Sequence, residues 1–561
     1  MIDNIMVVSL LKANRFILLS LFCSSLALTT GCVTKEANIS IETSERTKDN
    51  PMDEPIASSE PQEKTQTIKQ VNETEETFLE INPKETPEIL HETIPKDKLH
   101  ELKSVHTFSE VYTEVEGVLT FRGNNLRNSP SYGELKMSPI SLEKTWSFVT
   151  GSSPKWGGGA GWTGQPAIVK WDSDIREMMN LKEEFKHKEN FIEVIYASLD
   201  GKIYFFDLES GKESRNPINI HNPIKGSISI DPRGYPLLYT GQGIPQQGDI
   251  GFRIFSLIDG EMLHFIPGIE ADAYRPWGAF DGSALVNRET DTLILGGENG
   301  LFYNIKLNTV FNKEEKNIRV APEQIKYRYK VKGNDHQGLE NSVAVYKNLA
   351  FFADNGGSIQ GINLMTMKPI WALSGTDDTD ASIVIEEEEN IPFLYTGTEV
   401  DKLRGSDSHS LIRKINGVTG EVVWTRKYDA MYNESVNGGM LSTPVIGKNE
   451  MKDLAIFTIA RHKTMNAGLM VAVNKTTGEE VWRWEMPSYT WSSPAAVYDK
   501  NGQAYLIQCD SIGTMYLLNG KTGEVITKIN LGSNIEASPA IFNDSIVVAS
   551  RGGQIFKVKI K

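Results

Sequence analysis

Ser493-Pro494-Ala495-Ala496-Val497-Tyr498 is one of eight copies of a short phrase in which a Ser/Thr-x pair opens an apolar strand. The others begin at Gln165-Pro166 (Gln in the Ser/Thr place), Ser227-Ile228, Ser283-Ala284, Ser342-Val343, Ser382-Ile383, Thr443-Pro444 and Ser538-Pro539. Their second members step by 62, 56, 59, 40, 61, 50 and 45 residues, a mean of about 53. Internal repeats of this size are arrays of supersecondary units. The second half of each unit carries its own mark. Thr419-Gly420-Glu421-Val422-Val423-Trp424, Thr477-Gly478-Glu479-Glu480-Val481-Trp482 and Thr522-Gly523-Glu524-Val525-Ile526 are one turn in three copies, with Ser210-Gly211-Lys212 and Ile258-Asp259-Gly260-Glu261 as looser versions. Gly supplies the positive φ of a tight turn, and the alternation after it is a half-buried strand. A further Gly turn, as at Asp200-Gly201, joins two strands such as 194–199 and 202–207. Each unit thus reads as four strands. The sequence predicts an all-β fold, an eight-bladed β-propeller of four-stranded blades.

Closure has its own signal. Glu143-Lys144-Thr145-Trp146 repeats the Glu-x-x-Trp spacing of Glu421–Trp424, while the last unit ends after its third strand, 554–560. The strand 140–150 is therefore expected to supply the missing fourth strand of the last blade and leave no free edge.

Ahead of the repeats lie a targeting segment and a tether. Lys12 and Arg15 precede an apolar run from Phe16 to Leu28, too short for a comfortable membrane span. It ends in Thr29-Thr30-Gly31-Cys32, which resembles the lipobox of bacterial lipoproteins, with Thr29 where Leu is usual. Residues 1–32 are read as a lipoprotein signal with Cys32 lipidated, which places the chain outside the cytoplasm on a membrane anchor. Residues 33–105 hold 17 Asp/Glu against 9 Lys/Arg and almost no aromatics. They read as a disordered acidic linker with a reach of roughly 45 Å, with room for a short helix over 95–104. The propeller is expected over 106–561.

The net charge of −15 offers no footprint for nucleic acid. Of three Cys, only Cys509 lies in the repeats, so no intramolecular disulfide or thiolate metal cluster is expected there. The nine His form no His-x-His or HExxH, and G-x-S-x-G and P-loop motifs are absent. Gly159-x-Gly161-x-x-Gly164 fits the dinucleotide fingerprint only formally, because it leads into a strand rather than a helix.

Together, Phe121-Arg122-Gly123-Asn124, the Ser-x-Pro strand starts and the TGE-Trp turns resemble the pyrroloquinoline-quinone (PQQ)-like propeller repeats over residues 118–561. That resemblance implies eight blades and one of two roles. Quinoprotein dehydrogenases use PQQ, Ca²⁺ and a catalytic carboxylate, commonly beside two adjacent Cys. Non-enzymatic scaffolds are typified by the lipoprotein of the outer-membrane β-barrel assembly machinery. No Cys-Cys pair and no Cys-x-x-Cys-His occur here, which favours the scaffold and leaves PQQ and Ca²⁺ to the alternative of a dehydrogenase-like enzyme.

Three places before each aligned strand residue stand Thr163, Lys225, Asp281, Glu340, Asp380, Leu441, Trp491 and Glu536. Equivalent positions ring one mouth of a propeller channel. The acids Asp281, Glu340, Asp380 and Glu536 could hold a cation or cationic ligand. Trp162, Trp277 and Trp491 in the same loops offer faces for sugars or cationic groups. The competing expectation is a mouth plugged by aromatics with its acids solvated. The expected function is a non-catalytic binding or scaffold module, monomeric, for a protein or a cell-envelope polymer, with no cofactor.

Overall fold

The computed structural model describes residues 89–95, 107–161, 164–332, 334, 336–373, 377–401 and 408–561. Cys32 and residues 1–88, the helix expected over 95–104 beyond residue 95, and Trp162 and Thr163 lie outside the described residues.

Eight antiparallel sheets follow one another along the chain. Their inner strands are Ala167–Val169, Ser229–Ile230, Leu285–Asn287, Ala344–Tyr346, Val384–Glu388, Val445–Ile446, Ala495–Tyr498 and Ala540–Phe542. Each begins directly after a copy of the phrase. The eighth sheet closes as the sequence predicts, with Leu142–Val149 pairing antiparallel with Gln554–Ile560 as its outermost strand.

The recurring hydroxyl has a structural cause. Ser227 Oγ accepts the N–H of Gln165, Ser342 that of Ser283, Ser382 that of Ser342, Thr443 that of Ser382, Ser493 that of Thr443, and Ser538 that of Ser493, at 2.9–3.3 Å. These six phrases therefore each satisfy a backbone donor of the preceding blade, which a buried inner edge would otherwise leave unpaired, while Ser283 Oγ accepts the N–H of Phe121.

The TGE-Trp phrase locks blades at the rim. Trp371, Trp424 and Trp482 lie against Gly420, Gly478 and Gly523 of the next blade, so closely that a Cβ on each Gly would meet the indole within 2.4–2.8 Å. Trp146 of the closing strand lies against Gly211 in blade 1 in the same way. The indole N–H of Trp146, Trp371 and Trp424 donates to the carbonyls of Leu208, Gly417 and Lys475. A β-bulge falls immediately before each of these four Trp residues and turns its ring sideways toward the next blade.

Additions decorate this frame. Helices Ser173–Met178 and Glu183–Lys186 follow the inner strand of blade 1 and bury Ile175, Met178 and Phe185. A hairpin, Val310–Asn312 with Asn317–Arg319, interrupts blade 3. Within the stretch whose composition reads as linker, Ile89–Ile94 pairs antiparallel with the outer strand Glu323–Val331 of blade 3 as a fifth strand. The ordered chain thus reaches back before residue 106, because an open sheet edge takes up an extended segment despite a polar composition.

The segment 117–132 runs inside the channel. Gly117–Val118 pairs with blade 1, Leu119 with Ile230 in blade 2, Asn125 with Val345 in blade 4, Leu126 with Ile385 in blade 5, and Ser131–Tyr132 with Ile541–Phe542 in blade 8. Val118 to Arg122 is buried, as are Asn125 and Arg127.

Candidate functional site

The site is built on the floor that this segment lays. Arg127 donates from Nε to the carbonyl of Val343 at 2.8 Å and from one terminal nitrogen to that of Ser283 at 2.7 Å. Its other terminal nitrogen reaches the Thr120 hydroxyl and the Phe121 carbonyl, both at 2.9 Å. Arg122 donates to the carbonyls of Pro494 and Pro444. Ser283, Val343, Pro444 and Pro494 all belong to the repeated phrase, so the guanidinium groups cross the channel one step in from its mouth. Both Arg take positive φ, 59° in each case, a strained conformation that only strong surroundings hold. Burial pulls both guanidinium groups down to about 9, still cationic at neutral pH. Phe121-Arg122-Gly123 is thus a channel plug, which the sequence reading recognised only as part of a resemblance.

Above the floor, three of the four predicted rim acids are buried rather than solvated, and Glu340 is partly buried. Asp281 is 1%, Asp380 8% and Glu536 9% exposed. The Lys225 ammonium in blade 2 reaches across to Asp281 in blade 3 at 2.6 Å and Glu340 in blade 4 at 3.0 Å. The two acids, held by burial, draw its proton affinity well above the ordinary lysine value against the opposing effect of burial itself. Glu298 completes this first group, and its carboxyl is pushed well up by burial and by Glu340 and Asp281. Trp277 donates its indole N–H to Glu298 at 2.7 Å, and Asn355 donates to Glu340 at 2.9 Å.

A second group stands on blade 5. The two-residue strand Glu399–Val400 pairs with Gly438–Gly439, whose Gly439 has φ +78° and no room for a Cβ against the backbone of Thr398–Val400. The Glu399 N–H donates to the Asp378 carbonyl at 2.8 Å. Asn437 donates to Glu399 Oε2 at 2.5 Å. The carboxyls of Glu399 and Asp380 are hydrogen-bonded to each other, a contact that needs a shared proton. Burial, with Glu340 nearby, raises Asp380 to about 7. Burial and neighbouring acids push Asp378 and Glu399 well up.

Two rim positions lie apart from these groups. Glu536 accepts from Asn534 at 2.8 Å and pairs with Arg551 at 3.2 Å. Trp491 stands 6.0 Å from Tyr489, with the Arg461 guanidinium 4.0 Å over the Tyr489 ring. Trp162 falls outside the described residues.

Glu298, Glu399, Asn355 and Arg551 were missed by the phrase column. They belong to a second column, the turn between the second and third strands of each blade, which opens on the same mouth. The repeats carry it as Glu298-Asn299-Gly300, Asp354-Asn355-Gly356 and Arg551-Gly552-Gly553. Asp200 and Asp510, in equivalent turns, instead cap their own backbone at Lys202 and Thr514. Gly159 of the formal dinucleotide fingerprint packs against the Ser550 carbonyl, and Gly158 beside it against that of Gly151, too tightly for any Cβ, so this part of the loop is close-packed.

Two groups implied by the quinoprotein resemblance can be set against these residues. Asp281, Glu298 and Glu340 bring one carboxylate oxygen each within 4.8 Å of one another, a Ca²⁺-like donor set, but the Lys225 ammonium already takes up two of the three acids. A quinone with three carboxylates calls for cations, whereas this mouth is rich in buried carboxyls and commits Lys225 and Arg551 to acids of its own. The residues present do not fit that group.

No known family matches the sequence, and no curated protein matches it. Among solved structures, quinohemoprotein alcohol dehydrogenase from Comamonas testosteroni is similar at TM-score 0.55 and 10% identity, over 82% of this chain and 83% of that one. Quinohemoprotein alcohol dehydrogenase ADHIIG from Pseudomonas putida HK5 follows at TM-score 0.53 and 11% identity, over 83% and 82%. BamB from Moraxella catarrhalis gives TM-score 0.47 and 15% identity, over 75% of this chain and all of that one. The chain has an eight-bladed β-propeller fold.

Proposed function

We propose that this protein is a tethered extracytoplasmic binding module, non-catalytic, that presents the acidic mouth of its propeller to a protein or cell-envelope ligand. In this reading Cys32 carries lipid and the acidic stretch after it holds the propeller away from the membrane. The observation that carries the proposal is the channel's asymmetry. One step inside the mouth the channel is filled by Arg122, Arg127 and the strand around them, while the mouth itself is lined by acids that outnumber its cations. Such a cup receives a ligand from one side and passes nothing through. The dehydrogenase alternative draws no support from this donor set.

Site-directed photocrosslinking tests it. A benzophenone amino acid replacing Trp491 on the mouth is expected to yield a specific adduct in cells, and the same group replacing Met137, on the exposed stretch that leads to the closing strand, is expected to yield none. Adducts from both positions alike, or from neither, would overturn the proposal. Labelling with a fatty-acid analogue, lost in Cys32→Ala, tests the anchor separately.

A further inference from the structure

Two groups of three acids stand at the same mouth, and they differ in one respect. Asp281, Glu298 and Glu340 have a cation supplied by the chain, the Lys225 ammonium at 2.6 and 3.0 Å from two of them. Asp378, Asp380 and Glu399 have no such contact: among the described residues no Lys, Arg or His is hydrogen-bonded or ion-paired to any of the three, and the Lys225 charge reaches Asp380 only from a distance. They are 8%, 8% and 0% exposed. Asp378 Oδ1, Asp380 Oδ1 and Glu399 Oε1 are each buried and receive no donor from outside the group. Buried carboxyl oxygens in that state are costly, and proteins ordinarily pair them.

We propose that Asp378, Asp380 and Glu399 form a socket for the ammonium group of a lysine side chain presented by a protein partner. This inference rests on the reading of the mouth as a docking site. The molecule shows the chemistry in its own neighbouring group, where the Lys225 ammonium sits among carboxylates. An ammonium has three donors spread around one point and suits oxygens converging from three residues, whereas guanidinium requires a planar fork. A slender four-carbon stem also reaches a recessed site that a folded surface cannot enter.

Calorimetric titration of the full chain with tetralysine, and with tetralysine acetylated on every side chain, tests the socket. Tetralysine is expected to bind the wild type, and at least about tenfold more weakly to Asp380→Asn and to Glu399→Gln, since each replaces an acceptor oxygen by an NH2 donor without changing size. The acetylated peptide is expected not to bind. Absence of tetralysine binding at millimolar concentration, equal binding of the acetylated peptide, or undiminished binding by both variants each overturns the proposal. Calcium chloride binding that both substitutions abolish, with no response to tetralysine, overturns it in favour of a divalent cation. The wild type alone gives a second check: ethylammonium chloride is expected to weaken tetralysine binding more than equal tetramethylammonium chloride, which has no N–H, and equal weakening counts against the socket. A chain that crosslinks from position 491 yet ignores tetralysine keeps its docking mouth and loses the lysine socket.

Discussion

At the scale of single residues, the mouth trades stability for charge. Asp380 titrates near 7 in the fold against about 4 in the unfolded chain. An acid whose folded value is raised contributes stability that is complete below the unfolded value and lost as pH rises through the folded one. Asp380→Asn is therefore expected to stabilise the protein at pH 8, with a ceiling of about 4 kcal/mol, and to change little at pH 4. Denaturant melts at the two pH values check this, and an equal effect at both would contradict it. Lys225 acts in the opposite sense. Replacing it by Met leaves Asp281 and Glu340 without their cation, and breaking a buried pair in this way costs about 3–5 kcal/mol. The same melts should show that loss at neutral pH and a smaller one in acid, where the carboxyls take up protons instead.

At the scale of elements, the Gly of each TGE turn serves two ends. It holds the positive φ of its own turn, +69° at Gly478, and it clears the face on which the previous blade's Trp lies. Gly478→Ala should cost about 1–3 kcal/mol, because strain and overpacking against Trp424 act together. A melting temperature unchanged from wild type would show that the contact is loose. The first of these ends was legible in sequence, since a tight turn asks for Gly. The second was not, because the Trp that needs the space lies about one repeat earlier in the chain. The recurring Ser/Thr has the same character: its period was plain, yet its acceptor role joins neighbouring blades and only their packing reveals it. The plug was hidden for a further reason. Arg122 and Arg127 find backbone carbonyls rather than acids as partners, and carbonyls leave no trace in a residue pattern. The strand Ile89–Ile94 was masked by the charged composition around it.

At the scale of the whole molecule, the phrase, the turns and the closing strand together made the ring readable, because a propeller repeats its contacts as it repeats its sequence. The mouth was half readable. One ring of rim positions follows the phrase, while Glu298 and Glu399 sit in a second ring with a looser repeat. Ring closure itself is testable. A chain ending after Arg551 loses Gln554–Ile560 and strands Leu142–Val149 without a partner. It should unfold without the single cooperative transition of the full chain, with free edges that promote association. Differential scanning calorimetry and light scattering would decide, and an unaltered single transition would show that closure is dispensable.

The closing strand also has a consequence for the order of events in time. Leu142–Val149 is made early and Gln554–Ile560 much later, so the closing strand has nothing to pair with until its partner arrives. The channel segment 117–132 waits likewise, since its partners are spread from blade 1 to blade 8. A growing chain is thereby kept from closing early. The ring cannot close before its eighth blade has been made.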